Sequence, residues 1–316
     1  MRDIADHYDA WPRRRRRWPI IVPVVGLVVL ALGWSAFWYF AASRADTMLT
    51  AWRAREAARG HDYSCAEQAI AGFPFRMEVR CGTPRALLRD LAPPLAIEAT
   101  SLTAVAQVYD PLLVSAQAVG PATLAEAGRG PMLTARWSLA QASVRGLPAA
   151  LDRLSAVFDR LEVVAQDGAA ARTAATADHL EFNVRQAPRL PQDQPAVDLT
   201  VRLAKGTFPP VPQLAAPAVD AEIVAIVHGL NDYSPKPWRE RLRDLAAANG
   251  RLEIKPSRVQ QGDIITTGQG TLTLTPQGRL DGEIRLTVAG LEQLVTKLGL
   301  DQAMARASQL EGQELK

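Results

Sequence analysis

The chain has 316 residues, with 36 basic and 33 acidic side chains and a formal charge of +3. That excess sits in residues 1–17, where six arginines face three aspartates; the other 299 residues carry 30 charges of each sign. A neutral main body, with only 11 of the 19 aromatic rings left beyond residue 40, argues against nucleic acid as a partner and against stacked flat cofactors.

Arg13 to Arg17 lead directly into residues 18–40, WPIIVPVVGLVVLALGWSAFWYF, a run without one charge. As a helix rising about 1.5 Å per residue it spans roughly 34 Å, against a hydrocarbon core of about 30 Å. The arginines before it place the N-terminus in the cytoplasm, and Trp11 and Trp18 suit the inner interface. Trp34, Phe37, Trp38, Tyr39 and Phe40 suit the outer one. A cleaved signal peptide ending near Ser43-Arg44-Ala45 is the alternative. Its core would be about 7–15 residues followed by small residues, not an aromatic cluster. Residues 41–60 then carry Met48, Leu49 and Trp52 at helical spacing before Gly60, which predicts a connecting helix. Its tryptophan either packs on the outer domain or rests at the lipid surface.

Residues 65–81, CAEQAIAGFPFRMEVRC, read as two short strands around a turn at Ala71-Gly72-Phe73-Pro74. A hairpin brings Cys65 and Cys81 within reach of a disulfide, the alternative being two unpaired buried thiols. The bridge would constrain the unfolded chain by about 3 kcal/mol in the loop-entropy picture. Two thiols without a CxxC spacing are too few for a redox pair or a structural zinc site.

Beyond Cys81 the apolar period is two, clearest at Leu180-Phe182-Val184, Leu199-Val201-Leu203 and Ile284-Leu286-Val288. About ten strands of this kind predict a mainly β, β-rich α+β fold. The expected architecture is one large, curved antiparallel sheet, wet on one side, with a few covering helices. Phe182, Leu199, Val201, Leu286 and Val288 should share one side, which is either an open apolar groove or a closed core. Helices are expected at residues 236–249, after a Ser234 cap, at 291–298 and at 148–158. Proline-rich stretches at 188–195 and 209–217 either divide the sheet near 186–217 or form surface loops. The expected organisation is a basic tail (1–17), a transmembrane helix (18–40), a connecting helix (41–60) and an outer β-rich domain (61–316).

Chemistry-bearing motifs are sparse. His7 lies in the tail, His61 in an expected turn and His179 on a polar strand face. His228 opens residues 228–238, HGLNDYSPKPW, where Asn231, Asp232, Tyr233 and Lys236 could join it in a site. Gly, Asn, Asp, Ser and Pro also explain that segment as a loop before a helix. Gly268-Gln269-Gly270 is a fragment of a dinucleotide fingerprint ahead of a strand, and no Walker loop, GxSxG, HExxH or calcium loop occurs. No catalytic, cofactor-binding or metal-ligating residue is assigned, and no cofactor is expected.

Cys65, Gly72, Phe73, Pro74, Phe75, Arg76 and Cys81, together with the anchor and the Ala/Arg-rich helix, resemble the bacterial family labelled domain of unknown function 2125. The resemblance implies a Gram-negative inner-membrane protein facing the periplasm, and it brings no activity with it. Residues 270–295 are also similar to strand–turn–strand–helix units of AsmA-like envelope proteins, which carry lipids along long sheets with an apolar inner face. The expectation is a non-enzymatic periplasmic module held in the bilayer by residues 18–40. It would bind lipid or acyl chains on an apolar sheet face, or act as an envelope scaffold with a protein partner. An envelope hydrolase or other enzyme centred on residues 228–238 is the alternative.

Overall fold

A computed structural model describes residues 18–146, 151–167, 170–187, 195–230, 238–275 and 279–290. Contacts divide the chain into two units, Met1–Leu49 and Thr50–Lys316. The first helix, α1 (Trp18–Ala58), runs unbroken through residue 40, where the sequence suggested a change from span to connector. Within the first unit Ile21, Val22, Val24, Val25, Leu27 and Leu30 are all at least half exposed. These positions circle the helix between residues 21 and 30, as expected of a helix in lipid, whereas further along Trp38 is 5% exposed. The helix is long and apolar enough to cross a bilayer. It closes with Arg59 and Gly60 donating to the carbonyls of Glu56 and Ala57. Gly60 takes φ +93°, the left-handed turn that glycine makes cheaply at a helix end.

The second unit is a single antiparallel sheet of fifteen strands. Its first four are β1 (His61–Ser64), β2 (Glu67–Ala71), β3 (Arg76–Gly82) and β4 (Arg85–Leu88). Longer strands follow as β5 (Leu95–Gln107), β6 (Asp110–Glu126), β7 (Pro131–Arg136), β8 (Leu139–Arg145), β9 (Arg153–Asp167) and β10 (Ala170–Gln186). After β11 (Ala196–Gly206) come the short α2 (Pro212–Ala215), β12 (Val219–His228) and α3 (Trp238–Ala247). The last strands are β13 (Arg251–Gln261), β14 (Ile264–Leu274) and β15 (Leu280–Ala289). The spatial order is β1-β4-β5-β6-β7-β9-β10-β11-β12-β13-β14-β15, with β2 on β3, β3 on β5, and β8 between β6 and β9. The strands flanking the proline-rich stretches stay in one sheet, because β10 pairs with β11 and β11 with β12.

One expected helix is a strand. Residues 148–158 carry Leu151, Leu154 and Phe158 at helical spacing, but Leu154, Ala156 and Phe158 also alternate. Pairing on both sides, with β8 and β10, decides for β9. The Ser234 cap and the 291–298 helix lie outside the described residues. The helix expected after residue 236 is α3, which packs against β14. It stops where Asn249 takes φ +52° and Gly250 donates to the Leu245 carbonyl at 2.7 Å.

Among the described residues no large side chain is fully withdrawn from solvent. The buried apolar positions of the sheet are mostly small, such as Ala140, Ala177, Val197, Val219 and Ala225.

A continuous apolar face as the candidate functional site

Residues directly opposite one another on antiparallel strands point to the same side of the sheet. Register therefore shows which side chains share a face. Met77 on β3 faces Ala106, then Val114, Val144 and Leu154, one residue on each of five strands. The same row goes on through Val184, Leu199, Ala225, Ile254, Gly270 and Ile284 on β10 to β15. Eleven strands thus contribute eleven residues, none of them with a polar side chain. At about 4.8 Å per strand the row is roughly 48 Å long. A parallel row, Val79–Ala104–Ala116–Ala142–Ala156–Phe182–Val201–Ile223, runs two residues along.

All five residues singled out in the sequence lie on this side. Phe182 pairs with Val201, Leu199 belongs to the long row, and Leu286 and Val288 alternate with Ile284 on β15. Phe182 is 37% exposed, Ile284 44% and Leu286 64%. The opposite side is polar. Glu181, Arg202 and Glu222 stand in register there, with Arg202 bonded to both carboxylates. The Asn183 amide and the Arg202 guanidinium, both donating to Glu181, hold its carboxyl below the usual range against the opposing effect of burial. The grooves of the sheet lie among these long polar side chains. One of about 530 Å³ is lined by Arg153, Ser155, Asn183, Arg185, Asp198 and Lys255, among others. The apolar side mixes small residues such as Ala225 and Gly270 with the larger Leu199, Ile254 and Phe182.

A second cluster sits where α1 meets the sheet inside the second unit. His61 opens β1 rather than lying in a turn, and its side chain is 14% exposed. Its Nδ1 lies 3.0 Å from Glu56 Oε2 and its Nε2 3.3 Å from Asp90 Oδ2. The hydrogen bond to Glu56, aided by Asp90, raises the His61 pKa above its ordinary value against the opposing pull of burial. Trp52 stacks on Tyr63 with centroids 5.0 Å apart, so of its two expected places the tryptophan takes the one on the domain. Cys65 and Cys81 are joined by a disulfide, with Cα atoms 5.4 Å apart, across the ends of the β2–β3 hairpin. Nothing in the sequence flags the Glu56–His61–Asp90 cluster, since Asp90 arrives through pairing of β1 with β4.

His228 ends β12, and its Nε2 lies 3.4 Å from Glu253 Oε2; Glu253 in turn accepts from Lys255 Nζ at 2.5 Å. No hydroxyl is among the hydrogen-bond partners of His228 in the described residues, and Asn231, Asp232, Tyr233 and Lys236 lie outside them. Among the described residues no group of three or more His, Cys, Asp or Glu could hold a metal ion.

The hairpin, the helix foot and the sheet are also what a family model covers. The model described as an uncharacterized protein conserved in bacteria (DUF2125) matches residues 38–314. The chain belongs to this family. The DUF2125 match begins at Trp38, late in the apolar run of α1, and takes in the disulfide hairpin and every strand. No curated protein and no solved structure matches the chain.

Proposed function

We propose that this DUF2125 protein is a lipid-binding module of the periplasm, held in the inner membrane by residues 18–40, with acyl chains lying on the apolar side of its sheet. The reading rests on one observation: an eleven-strand row without a polar side chain, in which Val114 and Ile284 are exposed and the other large residues are only partly covered. Exposed apolar surface on this scale marks a place that something covers. An acyl chain suits it, because an aliphatic surface offers dispersion contacts and no hydrogen-bond partner. The five-arginine tail before the span orients the N-terminus to the cytoplasm and the sheet to the periplasm.

Native mass spectrometry of the full chain, extracted in detergent, tests this directly. Phospholipid-sized adducts should survive detergent removal, and a Leu199→Asp, Leu286→Asp double variant should lose most of them. A wild-type protein free of lipid, or a variant that retains as much as the wild type, would end the reading.

A further inference from the structure

The two edges of the sheet differ. One edge is made of β1 and β2, four and five residues long, and Tyr63 of β1 is already stacked against Trp52 of the helix foot. The β15 edge is ten residues, roughly 33 Å of backbone, and no strand pairs with its outer side among the described residues. Natural proteins blunt such edges with proline, charged side chains or a bulge. β15, Leu280-Asp-Gly-Glu-Ile-Arg-Leu-Thr-Val-Ala289, has no proline, its register with β14 is unbroken from end to end, and its charges, Asp281, Glu283 and Arg285, are of both signs. Every side chain on it except Val288 is exposed.

From this edge we infer that the protein forms a two-fold homodimer in which β15 pairs antiparallel with the partner's β15, centred on Ile284. The sequence of the strand is self-complementary about that residue. With Ile284 opposite the partner's Ile284, Glu283 faces the partner's Arg285 and Arg285 faces the partner's Glu283. Opposite charges directly across an antiparallel pair stabilise it, and like charges oppose it. On the apolar side Gly282 faces the partner's Leu286 and Leu280 faces the partner's Val288, so a large side chain meets a gap or another aliphatic group. Centring the axis on Glu283 or on Arg285 instead sets two like charges against each other. A two-fold contact of this kind is closed: it uses the same edge of both copies and leaves no free strand to propagate. It also carries the apolar row from Ile284 straight onto the partner's Ile284.

The pairing makes a residue-level test available in the full chain, purified in detergent. Ile284→Cys should give a disulfide-linked dimer under mild oxidation, because it faces its own copy. Leu280→Cys should not link to itself, but it should link to Val288→Cys on a differently tagged, co-expressed chain. By light scattering the wild type should have twice the chain mass, Glu283→Arg should be monomeric, and Glu283→Arg with Arg285→Glu should recover the dimer. A wild-type monomer at tens of micromolar, whatever else covers the edge, overturns the dimer. So does equal self-linking at positions 280 and 284, the mark of random collision. Lipid retention by a monomeric variant would separate a failed dimer from a failed lipid site.

Discussion

His61 is pinned between carboxylates from two directions, with Glu56 on the helix foot and Asp90 just after β4. The Arg59 guanidinium also reaches Glu56, at 2.8 Å, and the Tyr63 ring lies at the edge of the imidazole. The protonated imidazole donates at both nitrogens, so its pKa is raised in the folded chain by Glu56 first and Asp90 second. A raised folded pKa stabilises the fold fully below the unfolded value, about 6.5, and that stability is lost as pH rises through the folded value. Melting temperatures of the full chain, scanned from pH 5 to pH 9, should therefore fall on the alkaline side. His61→Gln should flatten that slope. A wild-type slope that survives the substitution would place its origin elsewhere.

At the scale of elements, the β2–β3 hairpin depends on two local devices. Gly72 has φ +102°, and a Cβ there would meet the Arg76 carbonyl oxygen at 2.7 Å. Gly72→Ala should therefore destabilise the hairpin by more than the roughly 1 kcal/mol of an ordinary glycine substitution, read as faster proteolysis between residues 65 and 81. The disulfide closes the other end. Cys65→Ala with Cys81→Ala should cost about 2–4 kcal/mol, measured by denaturant unfolding. Alkylation without reductant should label neither cysteine in protein taken from its native membrane. For α1, apolar on every side through its first half, the expected outcome is resistance to carbonate extraction with the N-terminus retained. A mature chain starting near Asp46 would show that the helix is removed.

For the whole molecule, the openness of the apolar face decides what a polar substitution does. Leu286 is largely exposed, so Leu286→Ser should change stability by less than about 0.5 kcal/mol while weakening lipid retention. Val197 is 3% exposed, on the same side and opposite Val227. Val197→Asp there buries an unpaired carboxylate and should destabilise by several kcal/mol. A thermal scan beside a lipid-retention assay on the two variants separates the effects, and similar melting losses from both would mean that the face is closed. The division of labour between the two sides of the sheet was legible in outline. Residues such as Phe182, Leu199 and Val201 alternate with Glu181, Thr200 and Arg202, and period two admits no other placement on a strand. The alanine-rich strands were harder to read. Ala142 and Ala156 carry little apolar contrast, and residues 148–158 have helical spacing as well as alternation. The basic tail, the uncharged run, the hairpin with its cysteines and the mainly β class follow from local chemistry, because hydrophobic period, charge position and turn residues act within a few neighbours. The unbroken pairing of fifteen strands, the eleven-strand row and the clamp on His61 were decided by tertiary structure alone. Register joins residues as distant as Met77 and Ile284 through a chain of strand pairings, and no local pattern records which strand lies beside which.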